Sequence, residues 1–574
     1  MTGRNPTFVA PNRSTRRRFL GQAGLAVSAA AAMSASPTAA ATPSTQPAAA
    51  PAAARSTPTN ELAQMNARVG PGLAQTGWNT YSTRFVDPPT FTWRPLDGAA
   101  AYVVSYAHQD DKTARTVRLD APTYDMTRDW SSVGVGCIDM IAVAVDASGQ
   151  EVGPAWRKRF YKSPGFDGVK QEPADYLASI DRNMAYLLAP ARDKVEDYER
   201  GLPRSCWSSS EESATGRRRM LAFPALHHPS FIIAYLRYAT LYPDRPHATE
   251  AVRQAKQYGD WLLANRHPAE WRCSLFPFST VQSGKAEGYI EGRNITLFRS
   301  ARVGEAMVAM FKHFKDQQYL DYARHLANVY VELQRPDGSW PYRVDPKDGR
   351  IVEEYTSNSV TPARLFGMLE QIEPNAKHAA AREKAAQWVM DNPVRTRRWQ
   401  GMYEDVGQAP PFRNLQHWDT NEMIRYLIHF RRGDAEAMRV VEDLNRYIED
   451  QFIVWREGDA AIADRCPAPT ALEQYTCYRP MESHTATWIR TLLALKRASG
   501  NETYLTKAIN AGNAILKGQQ ASGAYSTWGF DPRFGRPLLT QDWPGCNAVA
   551  VDGLLQLASY LATPAAARDE VQPL

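Results

Sequence analysis

Residues 399–427 read WQGMYEDVGQAPPFRNLQHWDTNEMIRYL. A polar, proline-containing loop passes here into an apolar helix predicted to start near Asp419 or Thr420. The stretch gathers Glu404, Asp405, His417, Asp419 and Glu422 among Trp399, Tyr403, Phe412 and Trp418. Aromatic faces beside several carboxyl groups suit a cleft that cleaves sugars. Rings stack on the apolar faces of pyranoses, and two carboxyls can divide acid and base work. Taken alone, the same residues also describe a surface loop with a helix cap, since Asp and Thr are ordinary N-cap residues. Recurrence along the chain separates the two.

From residue 172 onward strand patterning gives way to helices. A helix at 174–188 stands alone, and five pairs follow: 229–241 with 247–265, 298–312 with 317–334, 359–372 with 377–391, 420–430 with 434–452, and 483–499 with 503–519. A last helix runs over 547–561. Met438, Val441, Leu444, Ile448 and Phe452 form one amphipathic stripe, whereas AVAVDGLLQLASYL is apolar on most sides, as a buried inner helix would be. The inner members start near 229, 298, 359, 420, 483 and 547, a spacing of about 60–70 residues that marks a repeated hairpin. Connections within pairs are short and those between pairs run to about 25 residues. Six hairpins closing on themselves give an inner and an outer ring, the lone first helix completing the last pair. An open solenoid is the alternative; six repeats with long loops on one side favour closure.

Closure predicts that the loops entering the inner helices share one face, with the positive ends of those helices. They bring Arg204, Glu211, His227 and His228, then Glu287, Glu291, Arg293 and Asn294. Glu353, Glu354, Tyr355 and Asn358 follow, then Glu404, Asp405, His417 and Asp419. The last two loops add Glu473, Tyr475, Tyr478, Glu482 and His484, then Trp528, Asp531, Asp542, Trp543 and Asn547. Carboxylates, histidines and aromatics converging on one rim have the composition of a reactive site.

The repeat, with two similar exits from outer helices, resembles the six-hairpin (α/α)6-toroid enzymes. The exits are QRPDGSWPY at 334–342 and QQASGAYSTW at 519–528. The Q-x-x-x-G-x-W/Y pattern looks like that superfamily's usual exit, with Gly capping the helix and the aromatic packing on the rim or stacking on sugar. The resemblance covers about 400 residues of the toroid at 170–565 and implies a glycoside hydrolase or a polysaccharide lyase. No catalytic motif of a single family matches residue by residue.

Hydrolysis needs a proton donor and a second carboxylate. The candidates are Asp419, Glu404, Asp405, Glu482 and Asp542, with Asp419 suited to the base because it lies at a helix start, and Glu404 or Glu482 suited to the acid. Substrate binding is expected from His228, Arg293, Asn294, Tyr355, Asn358, Trp399, His417, Trp418, Tyr475, His484, Trp528 and Trp543. β-Elimination from a uronate polymer is the alternative. It would draw a base and an acid from Tyr475, His417 or His484, and a carboxylate neutraliser from Arg293, Asn294 or Asn358. A non-catalytic sugar-binding protein is the third reading, disfavoured by the number of rim carboxylates. There is no P-loop, dinucleotide-binding, H-E-x-x-H or G-x-S-x-G motif, so nucleotide, metalloprotease and serine-hydrolase readings have no support and no cofactor or catalytic metal is expected, while a calcium held by loop carboxylates stays open.

Before the toroid, residues 1–41 form a secretory signal of the bacterial twin-arginine type. Arg16 and Arg17 precede a short apolar run at 23–33 and an A-x-A-like site at 37–41. The run is too short to span a bilayer. The net charge of +6 falls to near +1 once the signal's five arginines, unaccompanied by any acid, are removed. That is no footprint for nucleic acid or an acidic membrane. The expected product is an exported monomer acting on an oligo- or polysaccharide, and the rim's basic residues would suit an acidic, uronate-containing glycan in either enzymatic reading. Residues 42–75 are a Pro/Ala-rich linker. Residues 76–162 alternate in short runs and predict a small antiparallel sandwich, and FTWRPLDGAAAYVVSY at 91–106 resembles fibronectin type III-like domains. Six cysteines are dispersed without a C-x-x-C pair, and Cys466 and Cys477 are near enough in sequence to close a disulfide loop.

Overall fold

The helical periodicity is realised as twelve α-helices among the described residues. The computed structural model describes residues 77–110, 114–189, 207–212, 218–279, 281–282, 295–354, 359–400, 412–462, 465–527, 530–531, 536–537 and 543–563. The signal and linker segments lie outside them. The helices are α1 (Tyr176–Leu188), α2 (Pro224–Leu241), α3 (Ala248–Ala264), α4 (Leu297–Phe314), α5 (Gln317–Leu333) and α6 (Val360–Glu370). They continue with α7 (Ala376–Val389), α8 (Trp418–Phe430), α9 (Ala435–Phe452), α10 (Glu482–Ser499), α11 (Glu502–Lys517) and α12 (Pro544–Ala562). None of the described helices is long and apolar enough to cross a membrane.

The even-numbered helices form the inner ring. Each packs on the next, α2 through α12, and α12 packs back on α2. Each odd-numbered helix backs an inner one, and α1 lies against α12, so the ring closes as an (α/α)6 toroid. The two rings differ at their N-termini. Five outer helices carry an Asp or Asn cap whose side chain accepts backbone N–H bonds: Asp175, Asp316, Asn375, Asp434 and Asn501. No inner helix is capped by the side chain of its N-cap residue. The orphan amides of an outer helix face water and need a local acceptor, whereas those of the inner helices open onto the loops.

The two Q-x-x-x-G-x-W/Y exits make the same joint. Gln334 Nε2 donates to the Gly338 and Ala381 carbonyls at 3.0 and 2.8 Å, docking the exit of α5 on α7. Gln519 Nε2 donates to the Gly523 and Ser179 carbonyls, both at 2.9 Å, docking the exit of α11 on α1. Both glycines have left-handed φ, +94° and +90°, and at both a Cβ would lie 2.3 Å from a carbonyl oxygen of the neighbouring helix. Trp340 and Tyr525 are buried, Trp340 Nε1 donating to the Tyr330 carbonyl at 2.9 Å. They pack inside the wall, which corrects the expectation that they could stack on sugar.

Strand patterning does not end at residue 172, contrary to expectation. Short strands occupy the loops between hairpins and tie those loops together. Trp207–Glu212 and Arg218–Ala222 pair with each other, and the latter with Val281–Gln282. Ile295–Thr296 pairs with Arg343–Val344, which pairs with Ile351–Glu353. Ile453–Val454 pairs with Thr470–Gln474, which pairs with Cys477–Pro480. Gln416 bridges to Gln474. Loops of successive repeats therefore share one face. Cys466 and Cys477 are not bridged to each other.

The N-terminal segment is a two-sheet sandwich. Strands β1 (Arg84–Phe85), β7 (Glu151–Lys162), β6 (Gly136–Val145), β3 (Ala101–His108) and β4 (Arg115–Leu119) form one sheet in that order; β2 (Thr90–Thr92) and β5 (Thr123–Asp125) form the other. All pairs are antiparallel except β1 with β7, which departs from the wholly antiparallel expectation. The sandwich is clamped to the toroid. Buried Arg84 donates to the Asp450 and Ile453 carbonyls at the end of α9, and Asp450 Oδ1 accepts from Val86 N and Asp87 N, both at 2.7 Å. Tyr81 stacks on Phe412 at 6.2 Å, so the sandwich also buttresses the loop leading into α8.

Candidate active site

Spacing along the inner helices puts one face of each into the ring. On α8, Trp418, Glu422 and Arg425 stand at i, i+4 and i+7, a single stripe. Ser230 and Arg237 on α2 and Arg302 and Glu305 on α4 repeat this spacing. The lumen is thus lined in two tiers, one nearer the helix starts and one about one to two turns, roughly 5–10 Å, deeper.

At the upper tier, the half-buried Trp418 ring meets the Arg302 guanidinium at 5.3 Å and the His484 ring edge-on at 5.4 Å. Arg302 Nη2 reaches Ser230 Oγ at 3.4 Å, so this contact set joins α2, α4, α8 and α10. Asp419 lies in the first turn of α8 and Glu482 is the first residue of α10, both almost fully buried. The helix begins at Trp418, with His417 in the N-cap position; Asp419 is therefore not the cap. Instead Asp419 N donates to Gln416 Oε1 at 3.1 Å and Gln416 Nε2 donates to Asp419 Oδ2 at 2.8 Å. Trp543 is half-buried at the start of α12, its backbone N–H donating to Thr527 Oγ1 at 2.7 Å.

His417 and His484 fix these two helix starts against each other. His417 Nε2 lies 2.8 Å from the Leu472 carbonyl and 3.0 Å from His484 Nδ1, and Asn421 Nδ2 lies 2.9 Å from His417 Nδ1. The Leu472 carbonyl can only accept, so Nε2 carries the proton and Nδ1 accepts. Burial pushes His417 down to about 4, the Leu472 hydrogen bond only partly opposing it. Burial, then neighbouring His417, holds His484 well below the usual histidine value. Both rings are neutral at ordinary pH.

Several expected binding residues are internal. His228 is fully buried on the outward side of α2, its ring 5.0 Å from Tyr258 and 5.0 Å from Trp261 on α3, so it packs the wall and does not line the mouth. Trp399 is also fully buried and cannot stack on a sugar. His417 is fully buried and stacks on Phe452 at 4.8 Å. Tyr475 donates to Gln451 Oε1 at 2.6 Å, beside the sandwich, and burial raises its hydroxyl well above the usual tyrosine value. Neither His417 nor Tyr475 is placed to serve as a lyase base. Glu404, Asp405, Asp542, Arg293, Asn294, Tyr355, Asn358 and Trp528 lie outside the described residues.

The lower tier was not anticipated. Glu422 is paired with Arg364 of α6 and with Arg425, and Arg364 also meets Glu305 of α4 at 3.5 Å. Asp552 of α12 is paired with Arg237 of α2 at 2.6 Å and with Arg490 of α10 at 3.2 Å. All six inner helices contribute. Burial alone would raise the Asp552 carboxyl, but Arg237 and Arg490 hold it below its usual value. The sequence did carry a signal, a single Asp in the otherwise apolar AVAVDGLLQLASYL. A lone charge on such a helix requires a buried partner.

No family model and no curated protein matches this chain. Solved structures resemble it in fold. A family 76 glycoside hydrolase from a bovine Bacteroides thetaiotaomicron strain aligns with a TM-score of 0.46 and 10% identity, over 83% of this chain and 98% of that one. A sugar epimerase from a ruminal bacterium gives 0.48 and 13%, over 66% and 98%. An unsaturated glucuronyl hydrolase specific for heparin gives 0.44 and 11%, over 68% and 98%. Likenesses this distant assign no activity to the present chain.

Proposed function

We propose that the toroid is the catalytic domain of a carbohydrate-active enzyme, a glycoside hydrolase working from the upper tier of the ring. The observation that carries this is the placement of Asp419 and Glu482, both almost fully buried, in the first turns of the adjacent helices α8 and α10. The two helix starts are joined by the 3.0 Å His417–His484 contact, and the half-buried Trp418 of α8 meets the His484 ring of α10. Trp418 offers a face for a pyranose, Glu482 serves as the proton donor, and Asp419 acts on water or on the sugar from its place beside Gln416. The chain folds, is exported through its twin-arginine signal and acts as a monomer once that signal is removed, and its fibronectin type III-like sandwich braces the rim loop.

The test is a screen of the mature protein on neutral and uronate oligosaccharides, reading new reducing ends and the ultraviolet absorbance of an unsaturated uronate. Hydrolysis predicts new ends without absorbance, and Asp419→Asn and Glu482→Gln should each cost about a hundredfold or more in kcat. Absorbance in step with chain cleavage would convert the assignment to a lyase. Full activity in Asp419→Asn would remove that residue from the chemistry. Sugar retention with no turnover on any glycan would leave a binding protein.

A further inference from the structure

Among the described residues, the lower tier is not charge-balanced. Four guanidiniums, of Arg237, Arg364, Arg425 and Arg490, face three carboxylates, of Glu305, Glu422 and Asp552. Buried charges are ordinarily paired one to one, because an unmatched ion pays its desolvation without a partner. Here one cation is in excess, and two buried donors, Arg425 Nε and Arg490 Nε, have no acceptor. Burial, and after it the neighbouring Arg490 and Arg364, holds Arg425 well below the usual guanidinium value. Arg364 is similarly pushed down to about 10, mainly by burial. The layer is nevertheless reached by solvent, since the Arg425 and Arg490 side chains keep 12% and 11% exposure. Arg425 lies on the same stripe of α8 as Trp418, two turns deeper.

We propose that this layer seats one anion, the carboxylate of a uronic-acid residue in a saccharide that enters the lumen past Trp418. The inference rests on the carbohydrate reading above and names the substrate class it leaves open. Arg425 and Arg490 receive the carboxylate through their unmatched N–H groups, in the charge-assisted manner that suits guanidinium to a planar anion. A neutral sugar leaves those donors unpaired and the extra charge uncompensated.

The experiment compares uronic-acid di- and trisaccharides with their neutral methyl esters, by calorimetric titration of the mature protein, with sodium sulfate and acetate as further probes. The acid should bind at least tenfold more tightly than its ester. Arg490→Gln is the informative variant: it removes the surplus cation while Asp552 keeps Arg237 and Glu422 keeps Arg364 and Arg425. It should erase the preference for the acid without lowering the melting temperature, and Arg425→Gln, which leaves Glu422 with Arg364, should do the same. Equal binding of acid and ester by the wild type overturns the inference, as does a preference that survives both variants. Sulfate or acetate binding without uronate binding overturns it too. Turnover of neutral glycans alongside any of these results would leave the hydrolase proposal standing by itself.

Discussion

Replacing Gly523 by alanine tests ring closure, on which every functional statement depends. The residue sits at φ +90°, where a Cβ would lie 2.3 Å from the Arg182 carbonyl oxygen and 2.8 Å from its carbon. The obstacle is helix backbone, which cannot rotate aside. Alanine in the left-handed region costs about 1–2 kcal/mol by itself. To relieve the clash the exit of α11 must lift from α1, breaking the bonds from Gln519 to Ser179, from Arg182 to Gln519, and from Asn183 to Gly523. At about 1 kcal/mol each, these bring the loss to roughly 4–5 kcal/mol. Gly500→Ala is the control, because Gly500 has φ +74° with nothing within 4 Å of its Cβ position and should cost only the conformational 1–2 kcal/mol. Urea unfolding followed by circular dichroism, with proteolysis to detect release of α1, reads the difference. Gly338→Ala, at the matching joint on α7, should behave like Gly523→Ala. Equal losses at Gly523 and Gly500, with α1 still protected, would refute docking of the last hairpin on the first helix.

Burial pushes His228 down to about 3, against an unfolded value near 6.5. The neutral ring contributes stability that is present above about pH 6.5 and is lost as pH falls toward 3. His228→Phe should match the wild type in activity at pH 8 and exceed it in stability by about 2 kcal/mol at pH 5; parallel pH–stability curves would contradict its placement in the wall. Asp450 is shifted the other way, up to about 7, mainly by burial and then by Asp87. Its contribution is full below about pH 3.8 and is lost as pH rises through 7, so raising pH from 5 to 8 should cost the wild type about 3 kcal/mol that Asp450→Asn does not lose. Denaturation midpoints at the two pH values, compared between wild type and variant, decide this; a difference that stays constant would show that Asp450 is ionised throughout.

Local chemistry made much of the fold legible. The apolar stripe of the outer helix at 434–452 and the regular spacing of inner starts each follow from short-range rules, and both survived folding. The same rules placed Asp419 and Glu482 at helix starts. What they could not give was direction. His227 and His228 are adjacent on α2, yet His228 faces α3 while His227 meets Gly545 of α12, because successive helical residues point about 100° apart. Trp399 and Trp418 share one quoted stretch, yet Trp399 is sealed in the wall while Trp418 faces the ring. The charged lower tier was invisible for a related reason. Its members lie far apart in the chain, from Arg237 to Asp552, and each is an isolated charge until six helices close. Sequence alone determined the helices, their order and their pairing, because those depend on periodicity and capping within a few residues. Which side chains share the lumen, and that their charges do not cancel, was decided only by closure, which brings residues more than 300 positions apart into contact, as in the Arg237–Asp552 pair.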